Sequence, residues 1–415
     1  MRVLSGSSAE QLVRKLEQRG PAGLARVEKQ VRRIVQQVRA HGDATLRRYT
    51  ERWDGLAPGQ PLRLRDSELE KAWLSTSPEF KQSLSISAAN IRRYCKWQMS
   101  SEWRRWLCKG IQVGQILRPI QSVGCYVPGG RYPLPSTMLM TVIPAQIAGV
   151  PQIRVVSPRP ARETLAAAHF LGVSSFYRIG GAQAIAALAY GTRSVPRVDK
   201  IVGPGNLYVT AAKKQVAFDC AIDFLAGPTE TVVVSERGEP RYIAADLVAQ
   251  SEHDPDALAL FITSSRKLAN GVAREVELAS ARNAVAKKSL AAHGAVLLAI
   301  SHSQAIEFAN RIAAEHITIE DQDLQDIYNA GSIFIGGYSP QAAGDYAAGP
   351  NHVLPTGGAA RFRGGLGVAD FQKAISVQHL SLDGLKRIAP AVITLAENEG
   401  LIAHAESIHV RCAHA

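Results

Sequence analysis

The stretch Gln121-Ser122-Val123-Gly124-Cys125-Tyr126-Val127-Pro128-Gly129-Gly130 decides the fold class. Its apolar run has the length of a strand and stops at a Pro-Gly-Gly turn, the punctuation of a strand passing into a loop. Downstream, residues 137–149 read as a helix despite Pro144, 153–157 as a strand, 161–171 as a helix, and 175–179 as a short strand closed by Gly180-Gly181. An Ala-rich helix over 182–190 and a strand over 200–202, ending at Gly203-Pro204-Gly205, complete the series. Strands separated by helices of about ten residues imply βαβ units and a parallel sheet.

The alternation returns further on, with strands over 231–235, 258–263, 294–300 and 331–335 and helices over 241–252, 268–278 and 304–314. The expectation is two doubly wound α/β halves, which also suits 415 residues, more than one ordinary core accommodates. Upstream, 24–40, 43–53 and 83–97 read as helices, with Val31, Ile34, Val35 and Val38 at helical spacing, and strand signals begin at about 116. Residues 343–363 are rich in Gly and Pro, too irregular for an element and long for an idle connection. The end, 380–405, reads as helical and is a candidate surface for a partner subunit.

Composition narrows the class. Apolar residues at 46% and charged residues at 20% match an ordinary globular chain. The opening residues hold no apolar run of signal-peptide length, and no stretch approaches 18 apolar residues, so no membrane role and a cytoplasmic location are expected. Five scattered cysteines without a CxxC pair argue against a disulfide framework or a thiolate metal knuckle, leaving His, carboxylate and amide groups as possible metal ligands. Residues 1–110 carry 22 Lys and Arg against 11 Asp and Glu, so nearly all of the net charge of +12 lies there. With no recognition motif beside it, this charge reads as a solvated helical face, and nucleic acid is not expected as a partner.

Four segments can carry chemistry. Gln250 and His253 are three apart near a helix end, so they share a face and can converge on one ion; alone, such a His is equally a capping or solvated residue. Glu315-His316, closing the 304–314 helix, pairs two proton acceptors, one of which titrates nearest neutral pH, although an isolated Glu-His pair suits an exposed helix end as well. Gly344-Asp345-Tyr346-Ala347-Ala348-Gly349-Pro350-Asn351-His352-Val353-Leu354-Pro355-Thr356 places Asp, Asn and His on a loop after a parallel strand, where open α/β sheets put their sites. Gly203-Pro204-Gly205-Asn206 lacks the G-x-G-x-x-G spacing, with Tyr at 208, yet its glycines permit close backbone approach to a phosphate.

Together these strings resemble the histidinol dehydrogenase family. The likeness is carried by Tyr126-Val127-Pro128-Gly129-Gly130, Gly180 to Thr192, Val198 to Asn206, Ala226-Gly227-Pro228-Thr229-Glu230, Gln250 to Asp254, Glu315-His316, Asp345 to Thr356 and Glu399-Gly400-Leu401-Ile402-Ala403-His404, over essentially the whole chain. The resemblance implies two Rossmann-like parallel-sheet domains in an intertwined homodimer. The expected division is an N-terminal helical extension (1–22), a discontinuous domain (23–122 with 236–370), a second domain (123–235), and a C-terminal helical extension (371–415) reaching the partner's site.

It also implies one zinc per subunit on Gln250, His253, Asp345 and His404, the last from the partner. Substrate contacts would be Thr229, Gln250, His253, His316, Asp345, Glu399 and His404, and NAD contacts Tyr126, Gln183 and Asn206. Glu315 and His316 would be the catalytic bases, converting L-histidinol to L-histidine through a bound aldehyde with two NAD+, the close of histidine biosynthesis. Thr229 stands where the family commonly has Ser, Ala314 where it has Pro, and Arg131-Tyr132-Pro133-Leu134 departs from commoner versions. The alternatives are a related zinc and NAD dehydrogenase of another small polar alcohol, such as a sulfonated diol, or a basic, non-catalytic zinc- or nucleic-acid-binding protein.

Overall fold

The computed structural model describes residues 1–20, 23–129 and 133–413, so Arg131 and Tyr132 of the divergent segment, and Gly130 before it, lie outside the described residues. The chain opens with β1 (Arg2–Ser5) and helix Gly6–Glu17, then runs through helices Leu24–Asp54, Asp66–Leu74 and Pro78–Trp97. A hairpin follows, β2 (Trp103–Cys108) and β3 (Ile111–Pro119). Next come β4 (Ser122–Tyr126), β5 (Gln152–Val156), β6 (Ser175–Tyr177), β7 (Lys200–Val202) and β8 (Ala221–Ile222), a parallel sheet ordered β6-β5-β4-β7-β8.

The strands β9 (Glu230–Val234), β10 (Leu258–Thr263), β11 (Ala295–Leu298), β12 (His316–Ile319) and β13 (Ser332–Ile335) join β1 in a second parallel sheet, ordered β1-β11-β10-β9-β12-β13. Last, β14 (Gln372–Leu380) pairs antiparallel with β3, ahead of helices Leu382–Asn398 and Ile402–Ala413.

The two parallel sheets are wound alike. In each, the first strand sits centrally, the next two extend to one side, and the last two return to the other, with β1 added at one edge. Residues alternate across each sheet: Val232 and Val234 face one apolar layer while Val233 faces the other. Covering both faces with helices explains why these strands read as apolar runs.

Strand pairing redraws the expected division. Glu230–Val234, assigned from sequence to the 123–235 unit, is the central strand of the other sheet. Arg2–Ser5, taken as part of a helical extension, is that sheet's edge strand. Helix Leu24–Asp54 buries Val27, Val31, Ile34, Val35 and Val38 against Ile185, Leu188 and Val209 of the five-stranded half, while Leu84, Ala88 and Ile91 share a core with Val123 and Met138 of that half and with Val353, Leu366 and Val368 of 236–370. Residues 371–415 are not purely helical, because β14 extends the hairpin; its mostly exposed residues lack a core-facing signal. Helices Leu207–Val216 and Ala284–His293 were also unread from sequence.

Candidate active site

β9 and β12 are neighbours at the centre of the six-stranded sheet, opening with Glu230 and His316. The side chains with chemistry gather at this amino rim. That corrects two expectations. Glu315 and His316 do not close a helix: the helix ends at Ile312, Ala313 turns the chain at φ 50°, and His316 begins a buried strand. Asp345 does not sit on a loop at the carboxyl rim, because helix Gln341–Tyr346 returns the chain to the side of His316. Gln341 pins that short helix: its fully buried amide oxygen accepts from Thr231 Oγ1 at 2.6 Å, and its Nε2 donates to Thr318 Oγ1 at 3.0 Å.

Glu230 orients both candidate bases through its main chain. Its N–H donates to Glu315 Oε2 at 3.0 Å, and its carbonyl oxygen lies 3.3 Å from His316 Nδ1. A carbonyl only accepts, so Nδ1 carries the proton and the lone pair of neutral His316 is on Nε2, 3.6 Å from Asp345 Oδ1. Phe334 packs beside the imidazole with ring centroids 5.8 Å apart. His316, Phe334, Asp345 and His352 border a small cavity.

Burial dominates the electrostatics. It pushes the Glu315 carboxyl up to about 8. Burial alone would lower His316, but the carboxylates of Glu315 and Asp345 outweigh it and raise the imidazole. Asp345 is buried too, yet the adjacent His316 imidazole and the hydrogen bond from Gln250 hold it below the usual carboxylate range. His352 is lowered by burial; its Nδ1 donates to the Asp345 carbonyl at 2.7 Å, and Thr137 Oγ1 lies 3.4 Å from its Nε2, linking the two halves.

Gln250 Nε2 donates to Asp345 Oδ2 at 2.8 Å, while Gln250 Oε1 is buried with no hydrogen-bond partner. A buried, unpaired amide oxygen beside a carboxylate is a natural seat for a cation. His253 follows the helix end and is exposed, close enough for its charge to act on His352. These oxygen and nitrogen donors fit zinc without sulfur. Thr229 directly precedes β9, half-buried, its carbonyl accepting from Leu258 N at 2.8 Å.

Glu399 and His404 stand apart. Both are exposed, Glu399 just past the end of helix Leu382–Asn398 and His404 on helix Ile402–Ala413, and among the described residues no side-chain hydrogen bond or ion pair joins either to Gln250, His253 or Asp345. No group of three or more His, Cys, Asp or Glu that could hold a metal is formed within the chain among those residues. Exposed Leu395, Ile402 and Val410 lie on these helices, with exposed Leu401 between them.

Tyr126, Gln183 and Asn206 lie at the carboxyl rim of the five-stranded sheet. Tyr126 ends β4, and Gly203-Pro204-Gly205-Asn206 follows β7, so they flank the point where the strand order reverses, the crevice favoured for ligands in such sheets. Gly203 has φ 109°, and a Cβ there would lie 2.2 Å from the Tyr126 carbonyl oxygen, so only glycine lets the two loops meet. Tyr126 Oη accepts from Gly181 N at 3.1 Å, Gln183 Nε2 donates to Asp54 Oδ2 at 3.1 Å, and Asn206 Oδ1 caps the next helix by accepting from Tyr208 N at 3.0 Å.

Sequence reading passed over Glu230, Gln341 and Arg19. Glu230 stood inside a quoted string without a role, and nothing local to Arg19 or Gln341 marks either one. Their importance comes only from contacts between distant segments.

Comparison with known proteins places the chain. The histidinol dehydrogenase family model matches residues 17–412. The chain is 45% identical over 392 residues to the histidinol dehydrogenase of Methanothermobacter thermautotrophicus, covering 91% of this chain and 92% of that one. It is 46% identical over 417 residues to the enzyme of Methanosarcina mazei, covering 97% and 96%. The crystal structure of histidinol dehydrogenase from Elizabethkingia anophelis superposes with a TM-score of 0.94 at 32% identity, covering 100% of this chain and 98% of that one. The chain belongs to the histidinol dehydrogenase family of NAD-dependent oxidoreductases.

Proposed function

We propose that the protein oxidises L-histidinol to L-histidine through a bound aldehyde, in the cytoplasm, as the close of histidine biosynthesis. The observation that carries the reading is the buried pair Glu315 and His316, held by the Glu230 main chain beside Asp345 and Gln250. Family membership supports the substrate.

Zinc would be held by Gln250, His253, Asp345 and His404 of the partner subunit. When bound, it supplies a Lewis-acid anchor for the substrate's nitrogen groups. NAD+ would sit at the carboxyl rim near Tyr126, Gln183 and Asn206 and supplies the hydride acceptor. His316 Nε2 takes the hydroxyl proton as the first hydride leaves the carbinol carbon. His316 releases that proton to solvent between the steps; Glu315 then draws a proton from the water that attacks the aldehyde, and the again-neutral His316 takes the remaining hydroxyl proton as the second hydride leaves. Thr229 contacts the substrate, and the partner's Glu399 pairs with its ammonium. The exposure of Glu399, His404 and their apolar neighbours in one chain supports a homodimer with shared sites.

The test is to mix purified protein with zinc, NAD+ and L-histidinol and follow NADH. Two NADH per L-histidinol is the expected result. Turnover confined to another alcohol, such as a sulfonated diol, would replace the substrate. Silence on every alcohol, with salt-sensitive polyanion binding, would leave a non-catalytic role.

A further inference from the structure

We propose that Arg19, far from the bases in sequence, is a positioning residue for both oxidation steps, acting through Glu230. The inference rests on Glu315 and His316 being the bases. Arg19 Nε donates to Glu230 Oε1 at 2.7 Å and Nη2 to Glu230 Oε2 at 2.6 Å, a two-pronged pairing of planar groups. Both partners are largely buried, with side chains 14% and 7% exposed. Arg19 Nη1 also donates to the carbonyls of Leu16 and Ile312, each at 2.6 Å.

Those bonds act on the bases from two directions. Glu230 is the residue whose main-chain N–H holds the Glu315 carboxyl and whose carbonyl faces His316 Nδ1. Fixing its side chain fixes that peptide, and Gly357 N adds a second hold on Oε1 at 3.0 Å. Ile312 is the last residue of the helix from which the chain turns, through Ala313, into Glu315 and His316. Its carbonyl is one of the unsatisfied acceptors of a helix end, and the guanidinium satisfies it. One side chain therefore anchors both the peptide that orients the bases and the turn that carries them. A lysine can neutralise Glu230, but its single ammonium cannot grip both carboxylate oxygens and the Ile312 carbonyl together.

Arg19→Lys and Arg19→Met are compared with wild type in the zinc-loaded, full-length enzyme, measuring kcat and KM for L-histidinol and for L-histidinal per folded molecule. A displacement of bases by about an ångström costs on the order of 10²-fold in rate. Arg19→Met is expected to lose about that factor in kcat on both substrates, and Arg19→Lys about tenfold, each with KM little changed. Kcat at the wild-type level in folded Arg19→Lys overturns the proposal, and so does a loss appearing wholly in KM. If Arg19→Met does not fold, Arg19→Lys carries the test. Failure of Arg19→Lys to fold would make the pair a brace of the fold alone and equally overturn it. Wild-type protein inactive on L-histidinol would instead remove the functional reading beneath it.

Discussion

Replacing Glu315 by Gln separates the cost of a buried charge from its use. The side chain keeps its shape, and an amide oxygen can still accept from Glu230 N, which lies 3.0 Å from Oε2. Burial moves the carboxyl from 4.5 to about 8, so the folded chain binds that proton more tightly than the unfolded chain does. Its stabilising contribution is complete below about 4.5 and is lost as pH rises through about 8. At about 1.4 kcal/mol per pH unit, the gap amounts to roughly 5 kcal/mol.

Glu315→Gln should therefore match wild type in urea denaturation near pH 4.5 and exceed it by up to roughly 5 kcal/mol at about pH 9. In turnover the amide cannot take a proton from water. The aldehyde step should slow by about 10²–10⁴, or roughly 3–5 kcal/mol of barrier, while alcohol oxidation continues. NADH release from L-histidinol and from L-histidinal, measured separately, reads the split. Equal losses at the two steps, or a stability difference that ignores pH, would refute the reasoning.

His316→Asn should retain its zinc by metal analysis yet lose about 10²–10⁴ of the first oxidation, because no imidazole Nε2 remains to take the hydroxyl proton. Its wild-type counterpart should show an acid limb displaced upward, since both bases have raised pKa values and must be deprotonated to act; a kcat/KM profile falling below about pH 8 would show this. Co-expressing His253→Ala and His404→Ala chains, each inactive alone, should restore about a quarter of wild-type activity, since random pairing makes half the dimers mixed and each mixed dimer owns one intact site. Gly203→Ala forces a methyl to 2.2 Å from the Tyr126 carbonyl at φ 109°; a loss of about 3 kcal/mol in urea denaturation, with weaker NAD+ binding by titration, is expected.

The two parallel sheets were readable because strands buried on both faces leave uninterrupted apolar runs, as in Val232-Val233-Val234. Membership of those strands was not. Periodicity reports a strand's faces but not its neighbour, and Glu230–Val234 follows β8 in sequence while pairing with β10 and β12. The antiparallel sheet of β2, β3 and β14 escaped for the opposite reason: its outer strands, such as Trp103–Cys108, are largely exposed and carry no core-facing pattern. The meeting of Gln250 and Asp345 followed only from the family resemblance, and the short Gln341–Tyr346 helix that delivers Asp345 was unread. His316 was misplaced because Glu315-His316 follows a helix directly, and only Ala313 in the left-handed region breaks it. An alanine gives no warning of such a turn.

The chain leaves the six-stranded half just after Arg19 and re-enters it at Glu230, so the bond between those residues joins two of the chain's crossings between the halves. Glu315 and His316 sit beside that join, so a disturbance carried in along either crossing meets the Arg19–Glu230 pair before it meets the bases.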